Sequence, residues 1–425
     1  MIPHYFSGNL DVERTSLVGS REGSCPRDAH CLQRFKESSQ RSIWSCLASP
    51  ARRIMGFDVD PLSRQLFPFR ELASNFRYSI YVFTNKGSLS MKDFRPAISA
   101  FYLVAVLFVC ELPAIGQTCF TADDMDAATR TAIQNAGMRY FDMVTRGDTA
   151  NLRQNSIPAV ANNFAGIENT VKGKQSEFAG VRATPQSPFL LKAEGTAPIE
   201  RADFLCGVFN GPQAAKSAEF VIPNLPPGAY GVVMLDFQTP KDPYTLSFIL
   251  QQQGNDWKLG GFFLHPNRLL GHDANWFLEK ARDFKAKGQT HNAFLYFWQA
   301  RDLSMPLSFM YTLSTDKIYD EQQTVRPNDF PIDGSTAQLA GPNGKAYKLT
   351  AIFVLPVDQS LNLIVKYLTQ DVSDTAQTFQ ENTNVMKAIL TKFPELRDAF
   401  DGVVARAVEM SGRDYGSMLA MKDIK

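Results

Sequence analysis

Residues that bind metals or act as nucleophiles are scarce in this chain. It has 5 His and 6 Cys in 425 residues. Beyond residue 116 only His265, His272, His291, Cys119 and Cys206 remain. His265, His272 and Asp273 share a loop, but their spacing matches no recognised ligand pattern, and Asp273 is a natural N-cap for the helix that follows. Also missing are a Gly-x-Ser-x-Gly elbow, a His-Glu-x-x-His pair and a phosphate-binding glycine loop. No catalytic set, metal or cofactor is therefore expected. Charge of one sign is lacking too: Lys+Arg 44 against Asp+Glu 43 leaves a formal +1. Without a basic stripe to neutralise phosphates, nucleic-acid binding is excluded as an expectation. No apolar run reaches the ~20 residues that a bilayer span needs.

What is present begins with a processing signal. Residues 1–90 carry 12 basic and 8 acidic side chains and no sustained periodicity, so they read as a disordered leader or a wrongly chosen start. Lys92 and Arg95 then precede Ala97 to Cys110, fourteen residues without a charge, and Ala114-Ile115-Gly116 supplies small residues. Basic, apolar, small is the order of a secretory signal peptide, expected over 91–116 with a mature start near Gln117. The chain is thus expected to be exported, periplasmic or secreted; anchoring in a membrane through 97–110 is the alternative. In an oxidising compartment Cys119 and Cys206 can form a disulfide, or they can remain two separate buried thiols.

Along the mature chain the hydrophobic period changes three times. Thr121-Ala122-Asp123-Asp124 reads as a helix start, Ile133, Tyr140, Phe141 and Val144 recur at helical spacing, and Arg146-Gly147 closes the run. Short helices are expected over Asp148–Ser156 and Ile157–Ile167. From about Val181 the period is two, with long strands at Tyr230–Gln238, Tyr244–Gln251 and Trp257–Leu264 joined by turn residues. The Gly260-Gly261 pair inside the last strand suggests a bulge. From Asp273 the period returns to 3.6 for a helical hairpin built on Phe277, Ala281, Phe284, Ala293, Phe297 and Ala300, and Leu307–Gln323 reads as a third helix. Two strands, Tyr347–Pro356 and Leu361–Leu368, and two helices, one from Ser373-Asp374 and one from Pro394 through Ala407, complete a β-β-α-α module.

Helices followed by a meander ending in Trp-Lys-Leu-Gly-Gly resemble the cone-shaped fold of the nuclear transport factor two-like and SnoaL-like superfamily. The stretches that carry the likeness are Met138 to Asp148 and Tyr244 to Leu264. The helical hairpin is similar to a single tetratricopeptide repeat, which cannot bury a repeat core alone. The expected organisation is α+β: a cone-like domain at 117–265, a helical cap or connector at 266–325, and the C-terminal module at 326–425.

The resemblance implies a cavity between the first long helix and the concave sheet, which assigns Tyr140, Asp142, Arg146, Phe237, Phe248 and Phe262 to a ligand pocket. Enzymes of the superfamily aim an Asp–His pair or an Arg/Glu set into the cone. The strands expected to line it here offer Asp236, Gln238, Gln251 and Gln253 and no His. Asp142 and Arg146 also suit an i,i+4 surface pair. The expected function is non-catalytic binding of a protein or envelope partner. The alternative is a carrier of a small apolar ligand, or a SnoaL-like enzyme, using the cone.

Overall fold

The computed structural model describes residues 116–425. The expected leader, and the expected signal segment except Gly116, lie outside the described residues. Within them the chain is α+β, with eight α-helices and three sheets.

The first element corrects the expected helix start. Gln117–Phe120 is strand β1, paired with residues 190–193, and Thr121 only closes a turn onto Asp124. Helix α1 (Ala127–Thr145) starts after Asp126, whose carboxylate accepts from the Thr129 N–H. Gly147, at φ +71°, follows its end as the left-handed residue glycine tolerates best. Helices α2 (Thr149–Gln154), α3 (Pro158–Ala161) and α4 (Ala165–Phe178) follow.

Strands β2 (Ala183–Pro185), β3 (Phe189–Ala193), β4 (Ile199–Cys206), β5 (Ala218–Leu225), β6 (Gly228–Gln238), β7 (Pro243–Gln253) and β8 (Asp256–Pro266) come next. Six strands form one antiparallel sheet in the order β1-β3-β6-β7-β8, with β2 also on β6. Its strands are apolar on both faces because both faces are covered. Val233, Leu235 and Phe237 of β6 and Leu246, Phe248 and Leu250 of β7 meet α1 and α4. Tyr230, Val232 and Met234 of β6 turn the other way. There a smaller sheet, β4-β5-β9, with β9 at Met310–Tyr311, closes over them through Phe204, Phe220 and Ile222.

The glycine pair sets which residues of β8 face which layer. Ile249 pairs with Gly261 and Leu250 with Leu259, so Gly260 is the extra residue of a bulge. Before it, Trp257 and Leu259 face the helices; after it, Phe262 and Leu264 do, and Phe263 turns to the small sheet. One extra residue inverts the alternation. Cys119 and Cys206 are disulfide-bonded with Cα atoms 5.1 Å apart. The bond joins β1 of the large sheet to β4 of the small one. Closing a loop of 87 residues stabilises by about 4.6 kcal/mol in the chain-entropy account.

The remainder shares a third apolar cluster. Helices α5 (Ala274–Ala286), α6 (Thr290–Leu303) and α7 (Leu313–Gln323) pack with a five-stranded sheet, β10 (Ala337–Ala340), β11 (Ala346–Val357), β12 (Ser360–Thr369), β13 (Gly402–Glu409) and β14 (Asp414–Ala420), and with α8 (Thr375–Lys392). Two expectations are corrected. The helix expected over Leu307–Gln323 begins only at Leu313, after β9. The helix expected from Pro394 is a single 3-10 turn, Pro394–Asp398, and Val403, Val404 and Ala407 lie on β13. The module is therefore strand-rich beyond β-β-α-α. Val-Val-Ala-Arg-Ala-Val satisfies either period, and parallel pairing with β12 decides for the strand. Gly402 permits it: a Cβ there would stand 2.6 Å from Asn362 Oδ1 and 2.8 Å from the Leu419 carbonyl oxygen.

Candidate functional site

The six residues assigned to a pocket separate into two groups. Tyr140 and Phe248 are fully buried and their rings are 5.8 Å apart. Phe262 meets Phe248 at 6.0 Å, and Phe237 meets Phe141 at 5.3 Å and Phe178 at 5.0 Å. The Tyr140 hydroxyl donates within the Asn155 and Trp257 carbonyl pair, at 3.0 and 2.9 Å. Burial holds its pKa above the ordinary phenol value, against the opposing Arg139 charge. These rings are the core between α1 and the sheet. Asp142 and Arg146, by contrast, are exposed on the solvent side of α1. Two open concavities of about 450 and 270 Å³ lie elsewhere. The first is lined by residues such as Arg153, Phe164 and Glu168, the second by Arg139, Asp256 and Trp257.

The polar strand residues expected inside the cone belong to the opposite face. With Leu235 and Phe237 against the helices, alternation turns Asp236 and Gln238 away. With Leu246, Phe248 and Leu250 there, Gln251 and Gln253 turn away as well, and Gln251 donates to the Tyr230 hydroxyl at 3.2 Å. The histidines also part company. His272 is exposed and stacks on Trp276 at 3.8 Å, in a turn whose Leu270 sits at φ +51°. His291 bridges Glu395 at 2.6 Å and Asp329 at 3.0 Å. Asp273 caps α5, accepting from the Trp276 N–H. No group of three His, Cys, Asp or Glu among the described residues is arranged to hold a metal ion.

The most chemically distinctive region is on the reverse face of the large sheet, at the end where it meets α6. Asp236, Thr245 and His265 are register partners in one row across β6, β7 and β8. The Asp236 carboxylate accepts from Thr245 Oγ1 at 2.6 Å and from Gln186 Nε2 at 2.9 Å. The adjoining row is Met234, Ser247 and Phe263. Ser247 is fully buried, and its Oγ has no hydrogen-bond partner among the described residues. The same is true of His265 Nε2 and of Arg301 Nε. Hydroxyls and ring nitrogens in such positions normally find partners, so the cluster is unusual.

The end of α6 completes it. Burial holds the His265 ring below the ordinary imidazole range, while Asp302 and the Leu303 backbone pull the other way. Asp302 is exposed as a residue, yet desolvation of its carboxyl holds it above the usual range, with His265 opposing. The neighbouring Arg301 guanidinium turns to other partners, lying 4.8 Å from the Tyr319 ring centre and 5.6 Å from that of Tyr311. Asp316 feels that cation, and its carboxyl is nonetheless raised by burial. Ser247 is sealed from solvent. His265 was visible in the sequence, but Asp302 and Ser247 carried no local signal. No protein-family model, no curated protein and no solved structure matches the chain.

Proposed function

We propose that this chain is an exported, disulfide-stapled interaction module of the cell envelope, which binds a protein or envelope component through its surface. The observation that carries this reading is the Cys119–Cys206 bond, because structural disulfides persist in oxidising compartments and are rare where thiols are kept reduced. A basic, apolar, small segment over 91–116 delivers the chain to such a compartment. Within the module we read residues 117–265 as a cone of the nuclear transport factor two-like kind, on the strength of α1 lying against one face of long antiparallel strands.

The packed Tyr140–Phe248 contact favours binding at the surface over a carrier or SnoaL-like enzyme working from the cone. Leu205 and Val208, 65% and 59% exposed, flank Cys206 and offer apolar contact there. The test is intact-mass and thiol analysis of the full chain expressed in a bacterial host with an oxidising periplasm. The expected product starts near Gln117, lies outside the cytoplasm and has no titratable thiol when denatured without reductant. A product that keeps Met1 in the cytoplasm, or one with two free thiols, overturns the reading.

A further inference from the structure

Every sheet here has edges, and the long ones are guarded with one exception. The edge of β8 is met by the chain at Asn155 and Ile157, which exchange backbone hydrogen bonds with Leu259 at 2.9 Å. Strand β1 is tied by its disulfide to β4, and Gln117 Oε1 accepts from the Asp203 N–H of that strand. Strands β2, β9 and β10 are short, with 3, 2 and 4 residues. The exception is β14, which ends the five-stranded sheet with 7 residues. It holds no proline and no lysine, and its one charged residue, Asp414, is paired with Arg406. Edge strands ordinarily carry such guards, because an unpaired ladder recruits another strand.

The hydrogen bonds that bracket β14 fix which of its backbone groups are free. The Glu409 N–H donates to the Arg413 carbonyl at 2.9 Å, and the Met421 N–H to the Asp401 carbonyl at 2.8 Å. The register between these two points is unbroken. Bonded pairs alternate along an antiparallel ladder, so Tyr415, Ser417 and Leu419 aim their backbone groups at β13. Asp414, Gly416, Met418 and Ala420 aim theirs outward, and among the described residues none takes them up. Helix α8 lies over this end of the sheet: Asn382 accepts from the Tyr367 hydroxyl of β12 at 2.8 Å and donates to Ser417 of β14 at 3.1 Å. Its neighbour Glu381 leans back to Tyr347 of β11. At 3.6 residues per turn, Phe379 and Thr383 then lie on the opposite flank of the helix, above the open edge. Phe379 is half-buried there.

We propose that β14 is the contact edge of a two-fold dimer, in which the β14 strands of two copies pair antiparallel about Ser417 and join their five-stranded sheets. In this register outward groups meet outward groups. Gly416 pairs with Met418 of the second copy and Asp414 with its Ala420, for about eight N–H···O bonds. Moving the axis to Gly416 or to Met418 drops Ala420 or Asp414 from the ladder. The side chains match as well. Met418 lies across Gly416 of the second copy, where the Arg406 stem runs 3.1 Å from the place a Cβ would take and offers its methylenes. Tyr415 faces Leu419 of the second copy. Both are partly buried against the third apolar cluster, and directly opposed side chains are the ones that interact across a ladder. Exposed Lys422, two residues past Ala420, comes to the end that carries the second copy's Asp414, so opposite charges meet. The two-fold axis repeats each contact. A ladder alone is small beside the roughly 1,200–2,000 Å² of a specific interface; the two α8 flanks extend it, and the dimer is a weak one. It depends neither on export nor on another protein.

Sedimentation equilibrium of the full chain from about 1 to about 100 μM reads the association, and amide hydrogen exchange at the same concentrations reads its place. The expected result is a monomer that becomes a dimer across that range. As it forms, the Gly416 and Met418 amides should gain about tenfold protection or more. Met418→Lys sets an added cation beside Arg406 of the second copy, and should weaken association by about tenfold or more while leaving the unfolding curve unchanged. If Met418→Lys fails to fold, the exchange pattern of the unaltered chain decides. A chain that stays monomeric throughout, a dimer with no new protection at 416 and 418, or one that Met418→Lys leaves equally tight overturns the proposal. So does protection of these two amides that is the same at every concentration, because another segment of the same chain then covers the edge.

Discussion

The two faces of the large sheet are built from the same strands and differ sharply in what they hold. Toward α1 and α4 the sheet offers Val233, Leu235, Phe237, Leu246, Phe248 and Leu250, all buried in one cluster. Away from them, Tyr230, Val232 and Met234 give way at one end to Asp236, Thr245, Ser247 and His265. The first face solves a packing problem. The second accepts polar groups, and two of their atoms, Ser247 Oγ and His265 Nε2, are buried without a hydrogen-bond partner among the described residues. Pocket-like composition is thus a poor guide to a pocket: aromatic residues gathered at one face fill it, and polar groups mark the other.

Removing the glycine pair that separates the two halves of β8 should have the largest effect. Deleting Gly260 alone would leave every later residue on its present face, because Leu259 and Gly261 already oppose neighbouring residues of β7. Deleting both Gly260 and Gly261 would turn Phe263 and His265 toward α1 while turning Phe262 and Leu264 away. The expected cost of the double deletion is on the order of 4–5 kcal/mol or more, with loss of a cooperative transition, because large apolar and polar groups exchange environments. Thermal or urea denaturation followed by circular dichroism measures it; near-wild-type stability of the double deletion would mean that the facing of β8 beyond the bulge is dispensable.

Phe248→Ala comes next. Its ring is fully buried between Tyr140 and Phe262, so truncation should cost about 3–5 kcal/mol. A cost well under 2 kcal/mol in urea unfolding would mean that the ring lines open space after all, and would return the carrier reading to consideration.

Ser247→Ala tests the reverse face with the opposite sign. Its hydroxyl is buried with no hydrogen-bond partner among the described residues, so removing it should leave stability unchanged or raise it by about 1 kcal/mol. A loss of comparable size would show that the hydroxyl has a bonded role. The smallest change is expected at the two exposed positions on α1: Asp142→Ala and Arg146→Ala should each stay within about 0.5 kcal/mol and should leave the transition equally sharp. A larger shift in either unfolding curve would mean that the pair is structurally engaged.

Legibility in the sequence followed how local each signal was. The long strands of the meander were plain because alternation over many residues has few competing explanations. Asp273 and Asp374 were readable as caps because each stands immediately before its helix. Thr121 misled because a Thr followed by acids fits a cap, while the pairing of Gln117–Phe120 with β3 depends on residues about seventy positions away. Val403, Val404 and Ala407 misled for a similar reason. The parallel partner that makes them a strand is β12, on the far side of α8. Of the residues assigned to a pocket, the four aromatic ones lie between one helix and the sheet while Asp142 and Arg146 are exposed; whether rings meet or leave space between them depends on how closely the layers approach.

By itself the sequence determined the alternation of helical and extended segments over the long meander strands, the charge balance, the pair of cysteines beyond residue 116 and the glycine pair that marks a bulge. Each is a property of neighbouring residues or of composition. Only the tertiary structure decided which face each alternation serves. A single extra residue at Gly260 inverts that assignment for everything after it in β8, and this parity acquires meaning only when layers cover both sides. The meeting of Cys119 with Cys206 was decided at the same level. Such contacts come from how sheets and helices stack, and chain-local propensities do not encode the stacking.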